Sequence, residues 1–367
     1  MTVRIEKPAV NVREKLAELD KPTGIAGEAM LRAETPQEQF NLINAGRKNL
    51  IINGNFDVWQ RGTSSSGTTS SGYQSADRWF FNASGATYTT AQQTFTLGQT
   101  EVPYNPKYFL RFTVTGANDN AGVWQKIEDV RKSSGQTVTL SFWAKYNSDS
   151  PSSTINLKFI QNFGTGGSPS SQVTVIETIR LYDVWTKYEV QHTFTSLSGK
   201  TLGSDNNSWF GLEISNGTNE TWDMDLAQVQ LELGKVATPF EHRSYGEELA
   251  LCQRYYYRID GNSGNNTLLC IGQGTSTANV VGAIPFPVRM RARPTALDES
   301  GTASDYLMTN NSGTAQDCTS VPAFNVKTSD HIAAVLFSST GNAAQGEARQ
   351  LMLDNTTDSF LAWSAEL

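Results

Sequence analysis

The chain has 367 residues, enough for two or three domains and a sizeable buried core, which argues against a single small module. Hydrophobic residues make up 38% and charged ones 18%, with 30 Gly, 8 Trp, 12 Tyr and 17 Phe, a low-charge aromatic profile that favours all-β structure with polar turns. The formal charge of −7 without a basic run disfavours a nucleic-acid partner, and no apolar stretch approaches the length of a membrane span.

The first 48 residues hold 15 charged side chains, eight basic and seven acidic, a density the following residues do not match. They show no apolar core of a secretory signal. Val12, Leu16 and Leu19 recur at helical spacing before a Pro-Thr-Gly turn. Ile25 and Leu31 mark a second short helix and Phe40 a third, capped by Thr35 with Pro36 at its first position and stopped by Gly46. Helices this short do not hold alone, so residues 1–48 read either as a cap on the next domain or as an arm docked in an assembly.

From 49 to 243 the pattern changes to short β runs. YFLRFTVTG and TVTLSFWAKY alternate strictly, and further runs follow in STINLKFIQNF, SQVTVIETIRL, WTKYEVQHTFTS, SWFGLEIS and WDMDLAQVQLELG. NLIINGNFDVWQRG is expected to open with a strand that turns at Asn53–Gly54. The Ser/Thr/Gly stretch from Thr63 to Gly72 is expected to be a mobile loop. Together these runs predict a β-sandwich of the jelly-roll type. Residues 244–258 form a connector with one short helix, and 259–367 carry enough β runs for a second, smaller β-sandwich-like domain.

Titratable groups for catalysis are sparse. His192, His242 and His331 are isolated, the hydrolase, metalloprotease and dinucleotide motifs are absent, and GTGGSP at 164–169 lacks the lysine and helix of a phosphate cradle. A non-enzyme is expected, although glycosidase carboxylates cannot be paired by spacing. Asp223 and Asp225 share a strand face, which fits a solvated face or a structural calcium site, the one cofactor the sequence suggests. Cys252, Cys270 and Cys318 show no CxxC spacing and read as reduced thiols.

The aromatics point to a ligand class. Sugars offer flat C–H faces and polar rims, so their sites combine Trp or Tyr with polar neighbours. Alternation turns Val138, Leu140, Phe142 and Ala144 toward the core and Trp143 the other way, beside Ser141 and Lys145. Trp143 is then either a stacking platform or a ring covered by a loop or subunit. Trp124 similarly opposes Val123 and Ile127, while Trp59 and Trp79 read as packing. Candidate sugar contacts are Trp143, Trp124 and Lys145.

The segments KNLIINGNFDVWQRG (48–62), SADRWFF (75–81), TVTLSFWAKY (137–146), DLAQVQLELGKVATPFEHR (225–243) and ELALCQRYYYR (248–258) resemble a family of tailed-bacteriophage fibre and tail-associated virion proteins. Those proteins carry a carbohydrate-binding-module-like jelly roll. FLAWSAEL is similar to their ends, and REKLAELDKPTGIAGEAMLRA to attachment segments of fibres in phages of aquatic bacteria. The resemblance implies a structural virion protein assembled in the host cytoplasm, anchored to other virion proteins by its N-terminal arm. It further implies a homotrimer that presents β domains to host-surface polysaccharide. Its alternatives are a tailspike-like glycan-degrading enzyme and a head or collar decoration fibre without a receptor role.

Overall fold

The computed structural model describes residues 47–68, 71–116, 121–147, 154–215, 221–310, 312–340 and 343–367. The arm positions Val12, Leu16, Leu19, Ile25, Leu31 and Phe40 lie outside the described residues.

The fold is mainly β. The strands of the first unit are β1 (Ser64–Thr68), β2 (Gly72–Tyr73), β3 (Phe80–Ala83), β4 (Thr87–Thr94), β5 (Tyr108–Gly116) and β6 (Ala121–Glu128). They continue as β7 (Thr137–Tyr146), β8 (Thr154–Asn162), β9 (Ser171–Arg180), β10 (Thr186–Thr193), β11 (Trp209–Ser215) and β12 (Trp222–Leu233). One sheet runs β1-β4-β5-β12-β7-β10 and the other β2-β3-β6-β11-β8-β9. The chain crosses repeatedly between them, as a jelly roll does. Alternation makes the core: Leu110, Phe112 and Val114 from β5 and Leu140 and Phe142 from β7 meet Val123, Phe159, Leu212 and Ile214 of the facing sheet.

Two local expectations are corrected. Residues 49–62 form no strand: the backbone turns at Asn53 (φ 58) and Phe56 (φ 56), which lets Ile51, Phe56 and Val58 enter the core from irregular chain. The buried Asn53 side chain holds that turn, donating to the Val58 and Asp77 carbonyls at 2.8 and 3.0 Å. Nor is 63–72 simply a loop, because Ser64–Thr68 pairs with Thr87–Ala91 and Ser65 reaches the Thr90 hydroxyl at 2.9 Å. An edge strand needs backbone partners more than apolar side chains, so a polar composition does not exclude one.

Helix α1 (Tyr245–Gln253) follows, opened by a capping box between Ser244 and Glu247. Beyond it come β13 (Tyr256–Asp260), β14 (Thr267–Gly274), β15 (Asn279–Pro285), β16 (Asp298–Glu299) and β17 (Tyr306–Thr309). The last strands are β18 (Ala315–Asp317), β19 (Ala323–Phe324), β20 (Ile332–Ser338), β21 (Ala348–Leu353) and β22 (Phe360–Ser364). Sheets β13-β22-β16 and β18-β17-β21-β14-β15-β20-β19 enclose a core around Trp363, Tyr306, Phe337 and Leu351. Cys252, Cys270 and Cys318 are separate thiols.

Candidate functional site

The outward face of the second sandwich sheet gathers the aromatic side chains best placed for a ligand. In β11, Phe210, Leu212 and Ile214 fill the core, so Trp209, Gly211, Glu213 and Ser215 face out. Strand β6 turns Val123 inward and Trp124, Lys126 and Glu128 outward. Register then sets Trp209 beside Glu128, Gly211 beside Lys126, and Glu213 between Trp124 and Lys158. Phe80 on β3 pairs with Trp124. The result is a row of half-buried rings across three neighbouring strands, with centroids 5.9 Å apart for Phe80–Trp124 and 6.3 Å for Trp124–Trp209. A Cβ at Gly211 would lie 2.0 Å from the Gln125 carbonyl oxygen, so this close strand approach requires glycine.

Polar groups surround the row. The Lys126 ammonium lies 4.3 Å from the Phe80 centroid and 5.4 Å from that of Trp209. Burial pushes its pKa down to about 8, which Arg78 reinforces and Glu366 opposes. Lys158 bridges to the buried Glu213 carboxylate at 2.8 Å. Among the described residues, the Trp124 indole N–H and the Ser215 hydroxyl are buried without a hydrogen-bond partner.

The row leads into a polar pocket of about 380 Å³ lined by Glu128, Asp129, Arg131, Asp205, Ser208 and Arg291, and Ser208 immediately precedes Trp209. Burial works against the Glu128 carboxylate, yet hydrogen bonds from Arg254 and Tyr255 hold its pKa below the usual range. Asp205 is held down to about 2 by the Thr165 hydroxyl and by the backbone N–H groups of Asn207 and Thr165. Arg291 donates to the Asn207 side-chain oxygen at 3.1 Å and to the Ala365 carbonyl at 2.7 Å, so the pocket sits where the last residues meet the sandwich.

Those last residues brace the face. Lys126 Nζ donates to the Leu367 carbonyl at 2.8 Å and the Tyr73 hydroxyl to the same oxygen at 3.4 Å. Glu366 accepts from both Arg78 and Arg61, whose guanidinium groups stack over Tyr255 at 3.4 Å and Tyr256 at 3.6 Å. Arg61 also reaches the buried Asp77 at 3.3 Å.

Of the residues singled out from sequence, only Trp124 belongs to this face. Trp143 and Lys145 lie on the opposite sheet. Trp143 is half-buried against a satellite cluster of Phe95, Val102, Phe109 and Trp185, supplied by the chain between β4 and β5, by β5 itself and by the approach to β10. That cover takes its ring as packing rather than as a platform. Lys145 is 3.8 Å from Asp225 and 5.5 Å from the Trp185 ring, serving an ion pair. The calcium reading of Asp223 and Asp225 meets the same difficulty. Both Asp225 oxygens accept from Arg111, at 2.7 and 2.8 Å, while Asp223 accepts from Thr113 at 3.0 Å and Asn147 at 2.6 Å. No group of three or more metal-ligating side chains exists among the described residues. Lys126 and Trp209 were missed, although the alternation of SWFGLEIS applies to Trp209 the logic used for Trp143.

No protein-family model matches the chain, and no curated protein matches it. Solved structures similar to it include the CBM22-1 xylan-binding domain of Paenibacillus barcinonensis Xyn10C, at 14% identity and TM-score 0.32, covering 53% of this chain and 100% of that one. A family 11 carbohydrate-binding module of Clostridium thermocellum, in complex with a β-1,3-1,4-mixed-linked tetrasaccharide, gives 15% identity and TM-score 0.29, covering 48% and 98%. The enzymatically active domain of bacteriophage CBA120 tailspike protein 4 gives 16% and 0.31, covering 51% of this chain but 21% of that one. Similarity this distant leaves the ligand to be argued from the residues of the face itself.

Proposed function

We propose that this chain is a glycan-binding, non-catalytic, fibre-type component of a tailed-phage particle. The residues 1–48 would anchor it to other virion proteins, several copies would assemble, and the outward face of the second sheet would hold host-surface polysaccharide. The observation that carries the binding part is the contiguous ring row Phe80–Trp124–Trp209 with Lys126 across it. Such a row stacks on sugar faces while Lys158 and the Glu128 pocket meet hydroxyls or acidic substituents. Glycoside hydrolysis needs two carboxylates flanking one bond. Glu213 is instead tied to Lys158 and Glu128 to Arg254 at 3.0 Å, an arrangement that supports binding over cleavage. The phage placement rests on the resemblance of the segments between 48 and 258.

Affinity electrophoresis of the full chain through gels carrying soluble bacterial and plant polysaccharides tests the reading. At least one polysaccharide should retard the protein, and Trp209→Ala should abolish the retardation while retaining the folded far-UV spectrum. Unretarded wild type across the panel, or an equally retarded Trp209→Ala, would overturn it. Loss of reducing-end release as a function is checked in parallel: sugar liberated from a retarding polysaccharide would make the site catalytic.

A further inference from the structure

The ring row is not flat. Phe80 and Trp124 are inclined to one another by 51°, and Trp124 and Trp209 by 48°, over steps of 5.9 and 6.3 Å. Neighbouring rings therefore cannot stack together on one plane, as the face of a crystalline glycan would require. The charges around the row are answered from within the protein. The outward ionisable side chains of β3, β6, β11 and β8 are Lys126, Glu128, Glu213 and Lys158. Lys158 and Glu213 meet at 2.8 Å with side chains 18% and 2% exposed, and Glu128 is held by Arg254 at 3.0 Å. The Lys126 ammonium donates to the Leu367 carbonyl at 2.8 Å and otherwise faces the Phe80 and Trp209 rings. Arg180, on the edge strand β9, stands opposite Thr154, at the other end of β8 from the Asn162 that adjoins Trp209. The groups left open beside the rings are uncharged. Asn82, next outward after Phe80 on β3, accepts from the Ser71 hydroxyl at 2.9 Å, and its amide N–H groups have no acceptor among the described residues. Asn162 donates to the Ser170 hydroxyl at 3.1 Å, and Asn156 accepts from that of Thr178 at 3.2 Å.

We infer that this face selects a neutral polysaccharide taken as a single dispersed chain, a narrowing that rests on the glycan-binding reading above. Of hydroxyls and acidic substituents, it answers the first. A polyanion gains most from a cation that has no partner, because a closed ion pair must loosen before it accepts another charge. Beside the rings each cation is engaged already, Lys158 by a buried carboxylate and Lys126 by a carbonyl and two ring faces. Sugar hydroxyls need no such exchange, since one hydroxyl both donates and accepts and so suits the side-chain amides of Asn82, Asn156 and Asn162 as well as the outer edge of a closed pair. The inclination of the rings fixes the physical state of the ligand. Each ring can stack on a separate sugar of a chain whose successive residues turn about its axis, whereas a flat ribbon locked in a crystal surface meets one ring at a time.

The test is affinity electrophoresis of the full chain through gels carrying dextran, mannan or a soluble β-glucan on one side and alginate or polygalacturonate on the other, with co-sedimentation on microcrystalline cellulose alongside. At least one neutral glycan should retard the wild type, and the retardation should hold between about 0.05 and about 0.5 M salt, over which the screening length falls about threefold. Asn82→Ala, with its far-UV spectrum kept, should weaken the retardation by about 5-fold, the loss of one hydrogen bond. The salt series uses the wild type alone and so survives a misfolded variant. Retardation confined to alginate or polygalacturonate, retardation that collapses as salt rises, stronger retention by cellulose than by any soluble glycan, or an unaffected Asn82→Ala would each overturn the inference while leaving glycan binding in place. A wild type unretarded in every gel and absent from the cellulose pellet would overturn both.

Discussion

Replacing Glu366 with alanine should loosen the junction that braces the aromatic face. The Glu366 side chain is 7% exposed and neutralises Arg78 and Arg61, of which Arg78 is 1% exposed. Without it, Arg78 keeps the Tyr255 ring and the Lys126 carbonyl, to which it donates at 2.7 Å, but no carboxylate of its own. Asp77 is already committed, accepting from Arg61 and from the Gln60 side chain at 3.0 Å, and burial pushes its pKa up to about 6. Breaking one side of a buried pair costs about 3–5 kcal/mol, and the aromatic stacking over both arginines places this case near the lower end, about 3 kcal/mol. For a chain of 367 residues, whose unfolding entropy is correspondingly large, that corresponds to a drop of about 4 °C in melting midpoint. Calorimetry and urea unfolding on the same samples give the midpoint and check that the slope is unchanged. The double variant Arg78→Met/Glu366→Leu should recover most of the loss, since it replaces both charges with apolar volume. A loss below about 1 kcal/mol for Glu366→Ala, or no recovery in the double variant, would show that the junction is wet and that its charges are screened.

Other outcomes follow from the same contacts. Trp143→Ala should destabilise the sandwich by about 2 kcal/mol through its satellite cluster while leaving polysaccharide retardation intact, and a binding loss with unchanged stability would return Trp143 to the site. Arg111→Ala, which strips the fully buried Asp225 of its bidentate partner, should cost about 3 kcal/mol in urea unfolding. Chelation with EDTA should not move the wild-type melting midpoint, because Arg111 occupies both Asp225 oxygens; a drop of several degrees would restore the calcium reading. His192 stacks on Phe159 at 4.5 Å and 8°, and burial holds its pKa below 6.5. Its stabilising contribution is therefore complete above the unfolded pKa and is lost as pH falls through the folded one. The wild type should lose ground to His192→Phe between about pH 7 and about pH 5, measured as the difference in their melting midpoints, and a constant difference would refute it.

How far a sequence reveals such a site depends on which forces act locally. Alternation in YFLRFTVTG and TVTLSFWAKY located strands and inward faces because burying one face imposes period two on each strand by itself. The same rule says nothing of what later covers the other face, so it leaves Trp143 open between a platform and a covered ring: its cover arrives from Phe95, Phe109 and Trp185, distant along the chain. Strand β1 escaped notice because backbone pairing and the Ser65–Thr90 contact hold it without any apolar side chain. Trp209 could have been found by carrying the alternation through SWFGLEIS, already read as a strand, which sets it on one face with Gly211 and Glu213. No local signal exists for the Arg78–Glu366 bond, whose partners lie 288 positions apart. What the chain did advertise was an arginine within the otherwise apolar end of SADRWFF. A guanidinium there must be answered from somewhere, because leaving it buried and unpaired costs more than the strand's packing returns. The answer comes from Glu366 on the segment that also carries Leu367, the residue that fixes Lys126. Folding of the second unit and orientation of the ring row are thus joined through one carboxylate, so substitution of Glu366, just past the last strand, should alter polysaccharide retardation by the proposed face.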